Sequence, residues 1–403
     1  MNKLPPFSVR QIMQYFFYSF PFCLLLGSFA SDLVLSIIAF LFAYEVLKKK
    51  LFKYFVNNLI YLIFIFYFIL IISSLNSDYS WYSLQNIFFY FRFILFSIAT
   101  WYIIDRNPNF IRYFSIFLLT TYIFALACGY YQYWFGYNFF NIYPMDANRL
   151  TLLLSDKMVL GHYLSRLFPL VFGLYIYAFK LDLKRYLLLS LVLILTDLLV
   201  YVSGERTSIG LMFVNTIFLL LFLEKFKVLR LITFFISVLL IVLISFFDSE
   251  IKERNIDITI NQMGLSSNSE KFNFFTEMHE SYFFTSWKIF VEKPILGSGP
   301  DTFRKFCDYE EYSYNTYSCS THPHNSYIQL LSEVGIVGIS IVFISALYLI
   351  FMVFKNAFTD KFRGYRFLSD YQLCIILALL LTLVPVLPTL GFFNNWINGI
   401  YFL

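Results

Sequence analysis

The chain has 403 residues, of which 59% are hydrophobic and only 14% charged, and a formal net charge of +5. So few charges cannot cover a water-facing surface, which excludes a soluble globular protein or a nucleic-acid partner and leaves an integral membrane protein. The 22% aromatic share, with 53 Phe, reads as lipid-facing helix filler.

Apolar runs able to cross a hydrocarbon core, which takes about 17 to 25 residues, fall at 11–29, 31–47, 55–74, 84–104, 111–135, 158–179, 184–203, 207–224, 228–247, 326–354 and 371–388, with a shorter one at 391–403. They predict an all-α polytopic protein of about 12 transmembrane helices. Pro21, Pro169, Pro385 and Pro388 mark places where segments break or end. The first run leads straight into the second with no small-residue cleavage site, so it is predicted to be a retained helix rather than a signal peptide.

Basic residues recur in alternate connections: Lys48, Lys49, Lys50 and Lys53; Arg106 and Arg112; Lys180, Lys184 and Arg185; Lys225, Lys227 and Arg230; Lys355, Lys361, Arg363 and Arg366. The short turns 30–31 and 75–83 carry no Lys or Arg. By the positive-inside rule the basic set and both termini are cytoplasmic, and 136–157, 204–206 and 248–325 face outward. The chain then divides into an N-terminal transmembrane bundle (1–247), an outer helical loop or cap (248–325) and C-terminal transmembrane helices (326–403). Within the cap, Phe283, Trp287, Phe290 and Val291 recur at helical spacing until Pro294, and Gly297-Ser-Gly-Pro300 reads as a turn. Cys23, Cys128 and Cys374 lie in apolar runs as small buried hydrophobes. Cys307 and Cys319 share the outer loop, where a disulfide is permitted and would tether the segment ahead of His324.

Residues suited to chemistry concentrate in a few places. His322-Pro-His324-Asn325 holds two of the four histidines where a polar stretch gives way to a membrane helix, so imidazoles stand at a water–lipid boundary. Asn325 reads as a helix cap and as a substrate contact. Glu333, further along that helix, is a candidate to orient His324. His-x-His also chelates Zn when other ligands converge, and His162 or His279 would be the third ligand, but no Cys or Asp pattern at metal spacing accompanies them. Arg206, in Ser203-Gly-Glu-Arg-Thr-Ser-Ile-Gly210, sits between two helices. A guanidinium there either snorkels to headgroups or holds a diphosphate with two prongs, Thr207 and Ser208 adding donors at the helix start. Lys157, His162 and Arg166 form a further cationic group, with His162 and Arg166 on one helical face and Asp156 or Glu205 as possible ion partners for Arg166. Arg92 lies inside an apolar run and needs an internal partner.

The spacing of His324-Asn325, nine residues, then Gly335-x-x-Gly338, together with the Arg206 motif, resembles the O-antigen ligase family, whose domain is shared with O-antigen polymerases and bacterial O-oligosaccharyltransferases. The resemblance implies a glycosyltransferase fold of the C superfamily, multi-pass in the bacterial inner membrane with its active site on the periplasmic face. It implies an undecaprenyl-pyrophosphate-linked glycan as donor, and lipid A–core of lipopolysaccharide, another glycan or a protein as acceptor. No nucleotide sugar, cofactor or metal is implied. Catalytic roles fall to His324 and Arg206. Where the family places a second Arg, fifteen residues ahead of Pro294, this chain has His279, so His279 or Arg304 is expected to take that contact. His322, Asn325, Arg166 and Lys157 complete the expected substrate-binding set. A lipid-linked oligosaccharide transporter is the non-enzyme rival; it predicts charges along a path through the bundle and inverted halves, whereas the basic groups here gather at one face.

Overall fold

A computed structural model describes residues 8–144, 146, 149–151, 153, 159–180, 182–263, 265, 274–385 and 387–403. In chain order the helices are α1 (Val9–Leu26), α2 (Ser28–Lys49), α3 (Asn58–Leu75), α4 (Ser80–Ile87), α5 (Phe91–Arg106), α6 (Phe110–Phe135), α7 (Leu160–Ala178), α8 (Leu183–Val202), α9 (Arg206–Phe222), α10 (Lys227–Phe247), α11 (Ser249–Lys252), α12 (Ile258–Gln262), α13 (Glu277–Glu292), α14 (Phe303–Phe306), α15 (Ser326–Arg363), α16 (Asp370–Leu381) and α17 (Asn395–Tyr401). Among the described residues there is no strand. Among the described residues, seven segments are long and apolar enough to cross a membrane: α2, α3, α4 with α5, α6, α8, α10 and α15. Two shorter apolar helices, α9 and α16, lie among them. The chain is a polytopic helical membrane protein.

The ends of the chain depart from the apolar pattern. Pro385 and Pro388 carry no N–H to continue a helix, and the stretch predicted at 371–388 is helical only to Leu381. The stretch at 391–403 forms α17, seven residues long and too short to span. Pro21 and Pro169, by contrast, lie inside α1 and α7 without ending them. Helix α15 continues past its apolar part to Arg363 and stops at Gly364, whose φ of 67° breaks the ladder.

Helix α7 is the hub of the bundle. It packs against α6, α8, α9 and α16 and is buried on nearly all sides from Leu160 to Tyr175. Helices α8, α9 and α10 are joined by an ion pair within the bundle. Arg230, which the sequence counts among the connection charges, turns inward: Nη1 and Nη2 donate to the two Asp197 oxygens at 2.8 and 2.9 Å, and Nε to Thr216 Oγ1 at 3.1 Å. Two such ions withdrawn from water each require the other. Arg92 likewise has its internal partner, Asp32, at 2.8 Å.

The segment before His324 folds over a second apolar core of Tyr282, Ile289, Phe303, Phe306, Cys307 and Tyr312. It is fixed to α15 by a backbone crossing. Residues 294–299 pass over α15 where Gly335, at φ 67° and ψ −170°, interrupts the helix. Ile336 N–H donates to the Pro294 carbonyl, and Ser298 and Gly299 N–H donate to the Ser332 and Glu333 carbonyls, each at 2.9 Å. A Cβ on Gly335 would lie 2.3 Å from the Ile295 carbonyl oxygen, and one on Gly297 would lie 2.3 Å from the Glu333 carbonyl carbon. The crossing therefore needs glycine on both strands of the contact. Glu333 does not reach His324; its buried carboxylate accepts from Asp301 N–H (3.0 Å), Phe303 N–H (2.8 Å) and Gln329 Nε2 (2.9 Å) and holds the next turn in place.

Two glycines at the same φ test this reading. Gly335→Ala should cost more than about 3 kcal/mol, since strain and backbone collision add, whereas Gly364→Ala, which meets open space, should cost about 1 kcal/mol. Thermal unfolding of the purified protein in detergent compares them; equal shifts would show that the crossing does not hold the cap.

Candidate active site

The loop 320–326 presents His324 in a fixed pose. His324 takes a left-handed φ of 57°. Its carbonyl accepts the Thr389 N–H at 2.7 Å. Asn325 caps α15, its Oδ1 accepting from Tyr327 and Ile328 N–H at 3.0 and 3.1 Å while its Nδ2 donates to the Pro385 carbonyl at 2.6 Å. Both ends of that amide are engaged by backbone, so Asn325 positions the loop rather than offering itself to substrate. Arg166 plays a similar part from behind. It is 1% exposed, donates to Thr389 Oγ1 at 2.9 Å and faces the Leu381 carbonyl at 3.5 Å. Thr389 thus links the Arg166 guanidinium to the His324 backbone, and Arg166 makes no ion pair with Glu205. This corrects its expected place as a phosphate contact: burial and these bonds aim it into the protein.

Three imidazoles meet here. The His324 ring centroid lies 4.1 Å from that of His322 and 5.7 Å from that of His279, and it stacks on Tyr282 at 5.5 Å. Helix α13 delivers His279 and Tyr282 one turn apart, with Thr276 capping the helix and its Oγ1 sharing a proton with His279 Nδ1 at 2.6 Å. Ser320 Oγ stands 3.3 Å from His324 Nε2. Burial pushes the His324 imidazole down to about 3, with the His322 and His279 rings adding to the effect. Burial likewise takes His322 down to about 4, and burial followed by the Arg206 charge lowers His279. All three are therefore neutral at pH 7 and take a proton less readily than the ordinary value near 6.5 expected for His324 implies.

The two sides of this cluster differ in charge balance. On the His279 side, Arg206 begins α9 and donates to neutral partners, Thr259 Oγ1 at 3.1 Å and Gln262 Oε1 at 2.7 Å. Among the described residues it makes no ion pair. Arg254, which sequence reasoning did not single out, reaches the same turn with its Nε 3.5 Å from the Gly204 carbonyl. Glu205 is turned away from Arg206: its carboxylate accepts from Gly161 and His162 N–H at 2.9 and 3.0 Å and from Ser208 Oγ at 3.2 Å, filling the N-terminus of α7. Burial raises it to about 7 against the pull of those amides. Ser208 is committed to Glu205 and is not the free phosphate donor expected of it. On the His322 side, Arg304 is paired with Asp301 at 2.9 Å and lines a cavity of about 820 Å³ together with His322.

The remaining candidates sort plainly. Cys307 and Cys319 form a disulfide with Cα atoms 4.9 Å apart, closing the loop that leads to Ser320. Lys157 lies outside the described residues. Among the described residues one group of His, Cys, Asp and Glu brings its donor atoms within 4.8 Å of one another, Cys307, Asp308 and Cys319, and its sulfurs are joined to each other. The histidines are not such a converging set. Tyr282, Thr389 and Ser320 were missed by sequence reasoning because nothing local marks them; Thr389 lies 223 residues from its partner Arg166.

Residues 187–344 match the family model described as O-Antigen ligase. No curated protein matches the chain. The matched span contains Arg206, His279, Arg304, His322 and His324, and leaves out Arg166 and Thr389.

The lowered proton affinity of His324 sets an expected pH response. A group whose neutral form is active, and whose folded value lies near 3, keeps that form as pH falls through 6.5 and loses it only as pH approaches 3. The acid limb of kcat/KM, which reports the free protein, should therefore lie below about pH 5. A limb at 6.5 that disappears in His324→Gln would show that the ring is solvated rather than buried.

Proposed function

From the premise that the chain carries an O-antigen ligase domain over residues 187–344, we propose that it transfers a glycan from an undecaprenyl-diphosphate carrier to an acceptor hydroxyl at the periplasmic face of the bacterial inner membrane, the acceptor being lipid A–core. The observation that carries this reading is the proximity of a neutral, buried imidazole, His324, to His279, whose electrostatic neighbour Arg206 makes no ion pair among the described residues. His324 can accept a hydroxyl proton once a bound anion raises its lowered proton affinity, and Arg206 can hold a diphosphate.

In the proposed step the acceptor oxygen attacks the sugar C1, forming the new C–O bond as the bond from C1 to the diphosphate oxygen breaks. The hydroxyl proton passes to the His324 imidazole, and the electron pair leaves on undecaprenyl diphosphate. Direct displacement inverts C1. Arg206 and His279 hold the departing diphosphate, where charge accumulates in a poorly hydrated site. An anion there also raises the proton affinity of His324, so the base strengthens when the donor is bound. No metal or other cofactor has a part in the scheme. His279 takes the second phosphate contact in preference to Arg304, because Arg206 is its electrostatic neighbour and Arg304 is spent on Asp301.

Purified variants given an undecaprenyl-diphosphate glycan and lipid A–core test the assignment. His324→Ala and Arg206→Ala should each lower the rate by at least about a hundredfold. Arg206→Lys should remain poor, since an ammonium lacks the two-pronged fit, while His279→Arg should retain activity. Wild-type rates in His324→Ala would remove the proposed base. Surface glycan in a deletion strain separates the related activities: loss of all long glycan from lipid A–core marks a ligase, and a single repeat left attached marks a polymerase.

A further inference from the structure

Helix α13 has two unlike faces. One turns Tyr282 and Ile289, with the buried Ser281, Thr285 and Ser286, into the second core and against α15. The other presents Phe284, Trp287 and Val291 in one stripe at helical spacing, and Ile295 continues it past the helix end. These four side chains are 49 to 64% exposed. No charge interrupts the stripe, because the ions beside it are turned into the protein: Lys288 Nζ donates to the Ser313 carbonyl at 2.7 Å, Glu292 accepts from the Tyr312 hydroxyl, and Lys293 pairs with Asp78. Tyr314, itself exposed, stacks on Phe284 at 4.7 Å and widens the patch with a ring type that, like Trp, gathers at membrane boundaries. One turn before Phe284 the same line reaches Glu280, so the apolar character is confined to the half of the helix nearest the kink of α15.

Helix α15 sets the level at which that half lies. Val337 N–H donates to the Ile295 carbonyl at 3.3 Å, next to the bond from Ile336 to Pro294, so Ile295 sits beside Ile336 and Val337, and all three are exposed. From Ile336 no charged residue occurs before Lys355, and a helix covers about 28 Å over that interval, close to the roughly 30 Å of a hydrocarbon core. The crossing of 294–299 over α15 therefore marks one edge of the hydrocarbon, and the stripe on α13 continues the lipid-facing surface of α15 at that edge. We infer that α13 is seated in the membrane interface, with Phe284, Trp287, Val291 and Ile295 against the lipid of the adjoining leaflet and its first turn, with Glu277 and Glu280, in water. An amphipathic helix with rings on one side and ions at its flanks takes this position. His279, in that first turn, is thereby held at the level of the lipid headgroups.

Trp287 reports its own surroundings. The chain holds five Trp, so the fluorescence of the full-length protein is compared with that of Trp287→Phe, and the difference is the Trp287 signal. Phe keeps most of the apolar area, so the variant should fold, and the readout needs no substrate, whatever reaction the protein catalyses. Both proteins are placed in nanodiscs of phosphatidylethanolamine and phosphatidylglycerol, with plain acyl chains or with chains brominated near the glycerol. Brominated lipid should remove at least about half of the difference signal, as expected of an indole at headgroup level, while iodide in the water should leave most of it. Quenching by iodide and not by brominated lipid would show that the stripe faces water. Resistance to both would show that protein covers it, a second copy of this chain included. Either of those results overturns the inference.

Discussion

Where residues 294–299 pass over α15, two backbones approach so closely that glycine is required at 297 and 335, and everything between that crossing and His324 is suspended from it. The helix gives up its regular geometry at Gly335, and the freed Ile336 N–H is taken by the Pro294 carbonyl, so that donor is not orphaned. Glu333 then reaches from the same turn to the amides that start α14. The His-Asn spacing to Gly335 has a physical reading on these grounds. It is the length of helix between a cap that aims an imidazole and a kink that docks the covering segment, and His279 and Tyr282 are brought to His324 because α13 ends at that docking point.

Charge is distributed with the same economy. The buried or partly buried cations Arg92 and Arg230 each have a carboxylate within 3.0 Å, as does the exposed Arg304, and Glu205 is absorbed by the N-terminus of α7. A buried ion lacking a partner costs several kcal/mol, so these pairings are what a membrane bundle requires. Arg206 stands outside the pattern, with amide and hydroxyl partners and no carboxylate among the described residues. Its location beside a neutral imidazole, in a region where burial strengthens electrostatics, makes it the group best able to bind an anion without first breaking an internal pair. Arg166 is the complementary case: its guanidinium, which makes no ion pair among the described residues, is used to tie Thr389 and through it the backbone of His324.

Much of this was legible in the sequence, and what was not has a common cause. Apolar length identified the helices from α1 to α10, and the spacing Phe283, Trp287, Phe290 with Pro294 identified α13, because both signals are local. The same apolar measure failed at 371–403, where composition stays apolar while prolines stop the backbone from being helical. The motifs singled out His324 and Arg206, and the departure from the family pattern singled out His279, but none of them gave the direction in which burial by distant residues moves the two imidazoles. Arg166, Asn325 and Ser208 were read as ligand-facing from position alone; their partners lie in other parts of the chain, and only the fold shows them spent. Arg230 was assigned to a connection for the same reason, its partner Asp197 being hidden within an apolar run.

The central claim is that donor diphosphate and acceptor hydroxyl meet at His324, the diphosphate held by Arg206 and His279. The most direct measurement is a cryo-electron microscopy structure with a non-transferable donor, in which a methylene replaces the oxygen between the sugar C1 and the diphosphate. The account predicts diphosphate density bridging Arg206 and His279, with C1 facing the His324 ring and the Arg304–Asp301 pair undisturbed. Diphosphate density on Arg304 or Arg92, with Arg206 still bound to Thr259 and Gln262, would contradict it.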